Sequence, residues 1–503
     1  MSSMSAESNA SRLLDWCSDM EHVKQVHAHI HKLGLAQHSI QHSTRLLKLH
    51  LTLTPNPNHN LTQAGMLFDR IEKPNVSMYN AVIRASSCSN RPSEAVDLYR
   101  RMVCDQVQCN AYTLPFVLKA CGGCGGGAGE IIEQVHTHVL KTGYGCEVHA
   151  TNALVHAYAS LGDIESASAV FGSMAAKDAV SWNTMINGLV KCGRMEQAFI
   201  VFRTMSEKSV VYWTTMIKGC VESGQPGDAL DLFQEMMASG VRPDKVALTG
   251  AVAACGDTGS LARGKWIHSY ISKNGIEFDG ALCCVLIDMY AKCGALEKAE
   301  EVFNQVEDRR SVAIWTAIIS GFGAHGRASE ALQWFNKMKA SGVRPNSITF
   351  TSVLTACSHG GLVEEGEILF RSMETVYKLK PSIEHYGCMV DMMCRAGLLE
   401  EAVSFIRNMP VEPNAAIWGA VVSACCARKN IDLAEKIAKM VINLEPDRAG
   451  RYIQLANVYA TVGDWDQAAA VRKEMKDSHR VSKVPGCSFM DLNGNPCQFL
   501  AIP

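Results

Sequence analysis

The chain has 503 residues, 47% of them hydrophobic, a formal net charge of −2 and a pI near 6.8. It is too long for one ordinary core, too apolar for disorder, and not basic enough to grip nucleic acid through phosphates alone. The longest apolar candidate, Val246–Cys255, falls well short of the ~20 residues of a membrane helix, and the twenty cysteines are scattered, so they read as reduced packing residues rather than a disulfide framework.

Residues 1–10 form a Ser-rich segment whose only acid is Glu7, consistent with a short or partial targeting presequence. Residues 11–75 fit two degenerate helical repeats, and VHAHIHKLG there is echoed by VHTHVLKTG and IHSYISKNG further on. From Val76 the repeat can be counted. Starting at Val76, Val148, Ala179, Val210, Gly280 and Val312, the residue 23 positions on is always aromatic: Tyr99, Phe171, Phe202, Phe233, Phe303 and Phe335. Twenty-six on stand Met102, Met174, Met205, Met236 and Met338, with Val306 the exception. Fourteen on stand Gly162, Gly193, Gly224, Gly294 and Gly326, with Asn90 the exception. Glycine and asparagine tolerate the left-handed backbone that ends a helix. Each repeat is therefore predicted as helix, turn, helix, with the aromatic and the methionine on the buried face of the second helix.

Repeat lengths rotate. Val76–Asn110 has 35 residues, Ala111–Glu147 has 37, and Val148–Asp178 and Ala179–Ser209 have 31 each. Val210–Asp244 and Lys245–Asp279 have 35, Gly280–Ser311 has 32, Val312–Asn346 has 35 and Ser347–Ser382 has 36. Ile383–Asn414 closes the array. Such helical pairs cannot bury their apolar faces alone and are expected to stack into a solenoid. The single Cys-x-x-Cys, Cys121–Cys124, falls in the Gly-rich CGGCGGG turn without a second ligand pair and reads as an inter-helix loop.

This rotation, with YNAVIRA, WNTMINGLVKCGRMEQA, LIDMYAKCGALEKAEEVF and WTAIISGFGAHG, resembles the PLS subclass of pentatricopeptide-repeat (PPR) proteins of land-plant organelles over residues 76–414. Residues 415–503 resemble that family's E-type tail of two tetratricopeptide-like motifs, including the box Pro485-Gly486-Cys487-Ser488. The resemblance implies an all-α fold, a right-handed α-solenoid of helix–turn–helix repeats. It also implies single-stranded RNA as ligand, a mitochondrial or plastid location with the mitochondrion slightly favoured, and a role in C-to-U RNA editing. Longer relatives continue into a DYW-type deaminase domain, whose chemistry needs a His-x-Glu and a downstream Cys-x-x-Cys at a zinc site. No His-x-Glu occurs in this chain. The expectation is therefore a specificity factor that is not itself an enzyme, carries no cofactor, and recruits a DYW-type deaminase and accessory proteins in trans. RNA binding for transcript stabilisation, splicing or translation is the alternative, and a protein-binding helical scaffold a third.

In the family, the fifth residue of a repeat's first helix and the repeat's last residue flank one base. Short polar side chains there can meet the base edge, and a mismatch leaves polar groups unpaired. Register assigns Asn80 with Asn110, Asn152 with Asp178, Asn183 with Ser209, Thr214 with Asp244, and Thr316 with Asn346. By the family's code these imply C or U, U, C or U, G, and A. Thr249 with Asp279 belongs to an L-type repeat of the PLS pattern, whose base is unassigned, as does Pro115 with Glu147, where proline offers no side-chain hydrogen bond. Cys284 and Gly387 depart from the polar pattern and leave their bases open. Counting back from the last repeat, which in the family faces position −4 relative to the edited cytidine, the target carries A at −6, G at −9, a pyrimidine at −10, U at −11 and a pyrimidine at −13. Polar residues near helix starts are also ordinary caps, so the weight lies on five pairs sharing one register.

Overall fold

A computed structural model of the protein describes residues 12–32, 40–52, 57–89, 91–205, 207–306, 309–477, 487–492 and 495–500. These fall into two compact units, divided at Gly219 and Cys220 inside helix Val210–Glu222. In the first unit, helices Met20–Lys32, Ile40–Thr52 and Pro57–Asp69 precede the pairs Val76–Ser87 with Pro92–Cys104, Thr113–Cys121 with Ala128–Lys141, Val148–Ser160 with Ile164–Ser173, and Ala179–Lys191 with Met195–Thr204. In the second, helix Pro226–Ala238 is followed by the pairs Lys245–Asp257 with Leu261–Lys273, Gly280–Lys292 with Leu296–Gln305, Val312–Ala324 with Ala328–Ala340, Ser347–Gly360 with Val363–Thr375, and Ile383–Ala396 with Leu399–Arg407. The tail adds Ala415–Ala427 with Ile431–Leu444 and Ala449–Thr461 with Trp465–Asp477. Within each unit successive first helices lie side by side and second helices pack behind them, so each is an α-solenoid. No described helix is long and apolar enough to cross a membrane.

Of the ten counted repeat starts, from Val76 to Ile383, nine are the first residue of a helix. Ala111 is the exception. There Asn110 Oδ1 accepts the N–H groups of Tyr112 and Thr113, a turn precedes the helix, and Pro115 sits in the first turn, where its missing N–H costs nothing. The counted glycines behave as turns: Gly162, Gly193, Gly224, Gly294 and Gly326 all have φ between +70° and +83°. Asn90 lies outside the described residues. Every aromatic at 23 and every Met or Val at 26 is buried.

Among the described residues, strand is added to the all-α expectation at one place. The tail's second motif keeps its helical hairpin, Ala449–Thr461 with Trp465–Asp477, and beyond it Cys487–Leu492 and Asn495–Leu500 pair as an antiparallel ribbon, Cys487 opposite Leu500. The sequence carries the reason: Asn493-Gly494, between two short runs mixing apolar and polar residues, is a hairpin signal. Pro485 and Gly486 lie outside the described residues.

Consecutive repeats are joined by a recurring aromatic contact. Phe171 meets Trp182 edge-on at 5.0 Å, Phe202 meets Trp213 at 4.8 Å and Phe303 meets Trp315 at 4.7 Å. In each case the aromatic at position 23 reaches the fourth residue of the next first helix. A cation six residues on lies over the same ring: Lys177, Lys208 and Arg309, at 5.2, 5.2 and 5.4 Å. Each also donates to a backbone carbonyl at the end of its second helix, of Met174, Met205 and Val306. Close approach of the first helices uses small residues; a Cβ on Gly321 would stand 2.7 Å from that of Ala291.

Candidate nucleic-acid interface

The last residue of a repeat is the N-cap of the next first helix. Asp178, Asp244, Asp279 and Asn346 each have extended backbone and accept a backbone N–H three residues on, at 2.7–2.9 Å. Capping and reading are thus not rival roles. A cap engages only Oδ1, so the amide NH₂ of an asparagine or the second oxygen of an aspartate takes no part in it.

Two of the five register pairs are joined directly. Asn80 donates from Nδ2 to Asn110 Oδ1 at 3.0 Å, and Asn152 donates to Asp178 Oδ1 at 3.2 Å. Burial pushes the Asp178 carboxyl up, but hydrogen bonds from the Ser181 backbone and hydroxyl and from Asn152 outweigh it and hold the group below its usual range. The Asn152 carbonyl oxygen is buried and unbonded among the described residues. Thr316 and Asn346 are joined through Thr349, whose hydroxyl lies 2.8 Å from Thr316 Oγ1 and 2.9 Å from Asn346 Oδ1. Asn183 is bonded to Thr215 at 3.3 Å, not to Ser209, which is exposed at the start of its helix. Thr214 belongs to the first unit and Asp244 to the second.

The L-type repeat Lys245–Asp279 is different. Thr249 turns its hydroxyl back to the Lys245 carbonyl at 2.8 Å, and Lys245 Nζ stands 2.7 Å from the Asp279 carboxylate. Its hydrogen bond, with that from the Leu282 N–H, holds Asp279 below the usual carboxylate range. Asp279 is thus already engaged by its own repeat's first residue.

Register counting alone overlooked two groups. The second residue of the repeat is an exposed apolar side chain in Val180, Val211, Val246 and Ile348, each 49–66% exposed, and in Tyr112, 73% exposed. The same counting could have found them, three positions before the fifth residue. In the first unit, Tyr112 and Asn80 line a groove of about 680 Å³ with Phe116, Arg84 and Lys48. The Arg84 guanidinium lies 5.7 Å from the Phe116 ring centre. Aromatic faces interleaved with cations and amides suit an unstacked base and its phosphate.

The Cys121–Cys124 turn has the geometry of packing. Cys121 is buried, its thiol pushed up to about 12 by burial, and Cys124 donates to the Ala120 carbonyl. Among the described residues no group of three or more His, Cys, Asp or Glu side chains is placed to hold a metal ion.

Stacked helical pairs whose first helices carry a periodic polar register define a helical-repeat protein, and the comparisons specify the kind. The chain matches the PPR repeat family at residues 177–211, 208–256 and 310–359, PPR repeats at 77–107, 150–178, 282–311, 348–375 and 378–410, and the E motif at 428–491. It is 52% identical over 488 residues to pentatricopeptide repeat-containing protein At5g66520 of Arabidopsis thaliana, covering 97% of this chain and 78% of the relative. It is 35% identical to the chloroplastic/mitochondrial protein At1g59720 of the same plant, covering 97% and 73%. The chain belongs to the pentatricopeptide-repeat family. Its fold is shared with the maize PPR protein PPR10, with a TM-score of 0.57 at 19% identity, covering 93% of this chain and 73% of that one. PPR10 in complex with an 18-nucleotide psaJ RNA element gives a TM-score of 0.52 at 17% identity, covering 94% and 77%.

Proposed function

We propose that this protein is a sequence-specific single-stranded RNA-binding factor that selects a site for organellar C-to-U editing and recruits a deaminase in trans through its E-type tail. The observation that carries the reading is the direct bonding of fifth and last residues, Asn80 to Asn110 and Asn152 to Asp178, on adjacent first helices. That juxtaposition puts two short polar side chains against one base edge. Exposed apolar residues at the second position give the base a face to rest on. The PPR10 structures support RNA as the ligand class, and the E motif at 428–491 supports the editing role over transcript protection. The array lies N-terminal toward the RNA 5′ end, with A at −6 facing Thr316 and Asn346.

Truncation separates the two halves of the proposal. Removing residues 415–503 leaves RNA affinity in gel-shift titration largely unchanged and abolishes editing when the variant is returned to plants lacking the protein. Normal editing by the truncated chain would remove the recruitment role. Loss of sequence preference by the intact chain would remove the reading role.

A further inference from the structure

The buried polar side chains of the protein include Thr113, Ser181, Thr349 and His385, each 0–1% exposed. All four are the third residue of a repeat, and each bonds the last residue of the repeat before it. Thr113 Oγ1 donates to Asn80 Oδ1 at 2.7 Å and lies 3.1 Å from Asn110 Oδ1. Thr349 Oγ1 lies 2.8 Å from Thr316 Oγ1 and 2.9 Å from Asn346 Oδ1. His385 places Nε2 3.3 Å from Thr351 Oγ1 and Nδ1 2.7 Å from Ser382 Oγ. Ser181 Oγ donates to Asp178 Oδ1 at 2.8 Å, the same oxygen that accepts from Asn152. In three of the four the third residue therefore touches both members of a fifth-and-last pair, and in the fourth it shares their acceptor. Where the third residue is apolar, as at Ala247, Leu282 and Ile417, the last residue keeps its backbone cap and gains no such side-chain partner from that position.

We propose that this third residue, supplied by the following repeat, is a specificity-determining positioning residue. The inference rests on the base-reading function proposed above. At Thr113 and Thr349 its hydroxyl bridges Oδ1 of the last residue and the side chain of the fifth. In Asn346 that holds the amide with Oδ1 toward the helix and NH₂ away from it: a rotated amide would set a donor against the Thr349 N–H and forfeit the bond its hydroxyl donates. Base preference at one repeat is then set by three residues from two repeats. By the same geometry Thr351, Ser382 and His385 form a further base-contacting set, in a repeat whose base the two-residue register leaves unassigned.

The test uses the full-length protein and four RNAs differing only at the base facing Thr316 and Asn346. Thr349→Val keeps the shape, removes the hydroxyl, and leaves the backbone cap in place. Discrimination between the best and worst base falls at least about fivefold, out of the ~5–150-fold one directly read base provides. Thr349→Ser restores it, and discrimination at the base facing Asn152 and Asp178 does not change. Ser181→Ala gives the reciprocal result, and carries the test if Thr349→Val fails to fold by circular dichroism. A valine variant that ranks and spaces the four RNAs as the wild type does overturns the inference alone. A wild type that ranks none of them overturns the reading beneath it, and the inference with it.

Discussion

At the residue scale, the function proposed above gives one side chain two tasks, which is possible because the cap uses only one of its two polar atoms. An asparagine or aspartate closing a repeat caps the next helix through Oδ1 alone, and in Asp279 the second oxygen is taken by the repeat's own Lys245. Asn346→Asp therefore keeps the cap, since aspartate caps as well as asparagine, but replaces a donor with an acceptor. The preferred base at −6 moves from A toward G, with single mismatches costing ~1–3 kcal/mol. Gel-shift titration of both proteins against the four RNAs checks it, and an identical ranking would show that the pair does not read RNA. The register of these residues was legible because a period of 31 to 37 can be counted without coordinates. Thr113 and Thr349 were not. A threonine three residues after a capping asparagine looks like an ordinary capping box, and nothing in the sequence says that its hydroxyl also reaches the fifth residue of the helix alongside.

At the scale of the element, stability comes from joints between repeats. Phe303 is 1% exposed and touches both Trp315 and Trp334 at 4.7 Å. Phe303→Ala is expected to cost roughly 3–5 kcal/mol, for a large aromatic emptied from a packed site. Trp315→Ala in the same chain should cost less than the sum of the two, the shortfall being the aromatic pair's own ~0.5–1.5 kcal/mol. Urea unfolding of the single and double variants measures both, and strict additivity would mean that the two rings are not coupled. Phe233 occupies the equivalent position, but the fourth residue of the next helix is Leu248, so that joint lacks an aromatic pair. The ladder of aromatics was visible in the sequence as a buried face. Its partners were not, because they sit in the next repeat on the other kind of helix. The terminal ribbon at 487–500 is hidden for another reason: the family pattern of helical hairpins outweighs a local hairpin signal only one dipeptide long.

For the whole molecule, stability depends on pH through its histidines. Burial lowers the affinity for protons of His50, His136, His156 and His268, the first three in one unit and the last in the other. The Nδ1 atoms of His136 and His268 lie 3.0 and 2.9 Å from the hydroxyls of Tyr158 and Tyr290, which a neutral ring can accept and a doubly protonated one cannot. These rings titrate near 6.5 when unfolded and lower when folded, so the unfolded chain binds more protons in between. Their contribution is complete above about pH 6.5 and is lost as pH falls through the folded values. The melting temperature should therefore drop between pH 7 and pH 5, and His136→Gln with His268→Gln should flatten the drop. A pH-independent melt would contradict the assignment. The capping arrangement carries a further consequence for anyone who would recombine these repeats. A fragment cut after its last residue takes the reading side chain with it and leaves behind the helix that holds it, as Asn414 would be parted from Ile417. Exchangeable modules therefore begin and end at the glycine turn inside a repeat, so that a grafted cassette carries the second helix of one repeat and the first helix of the next, with the side chain between them still anchored.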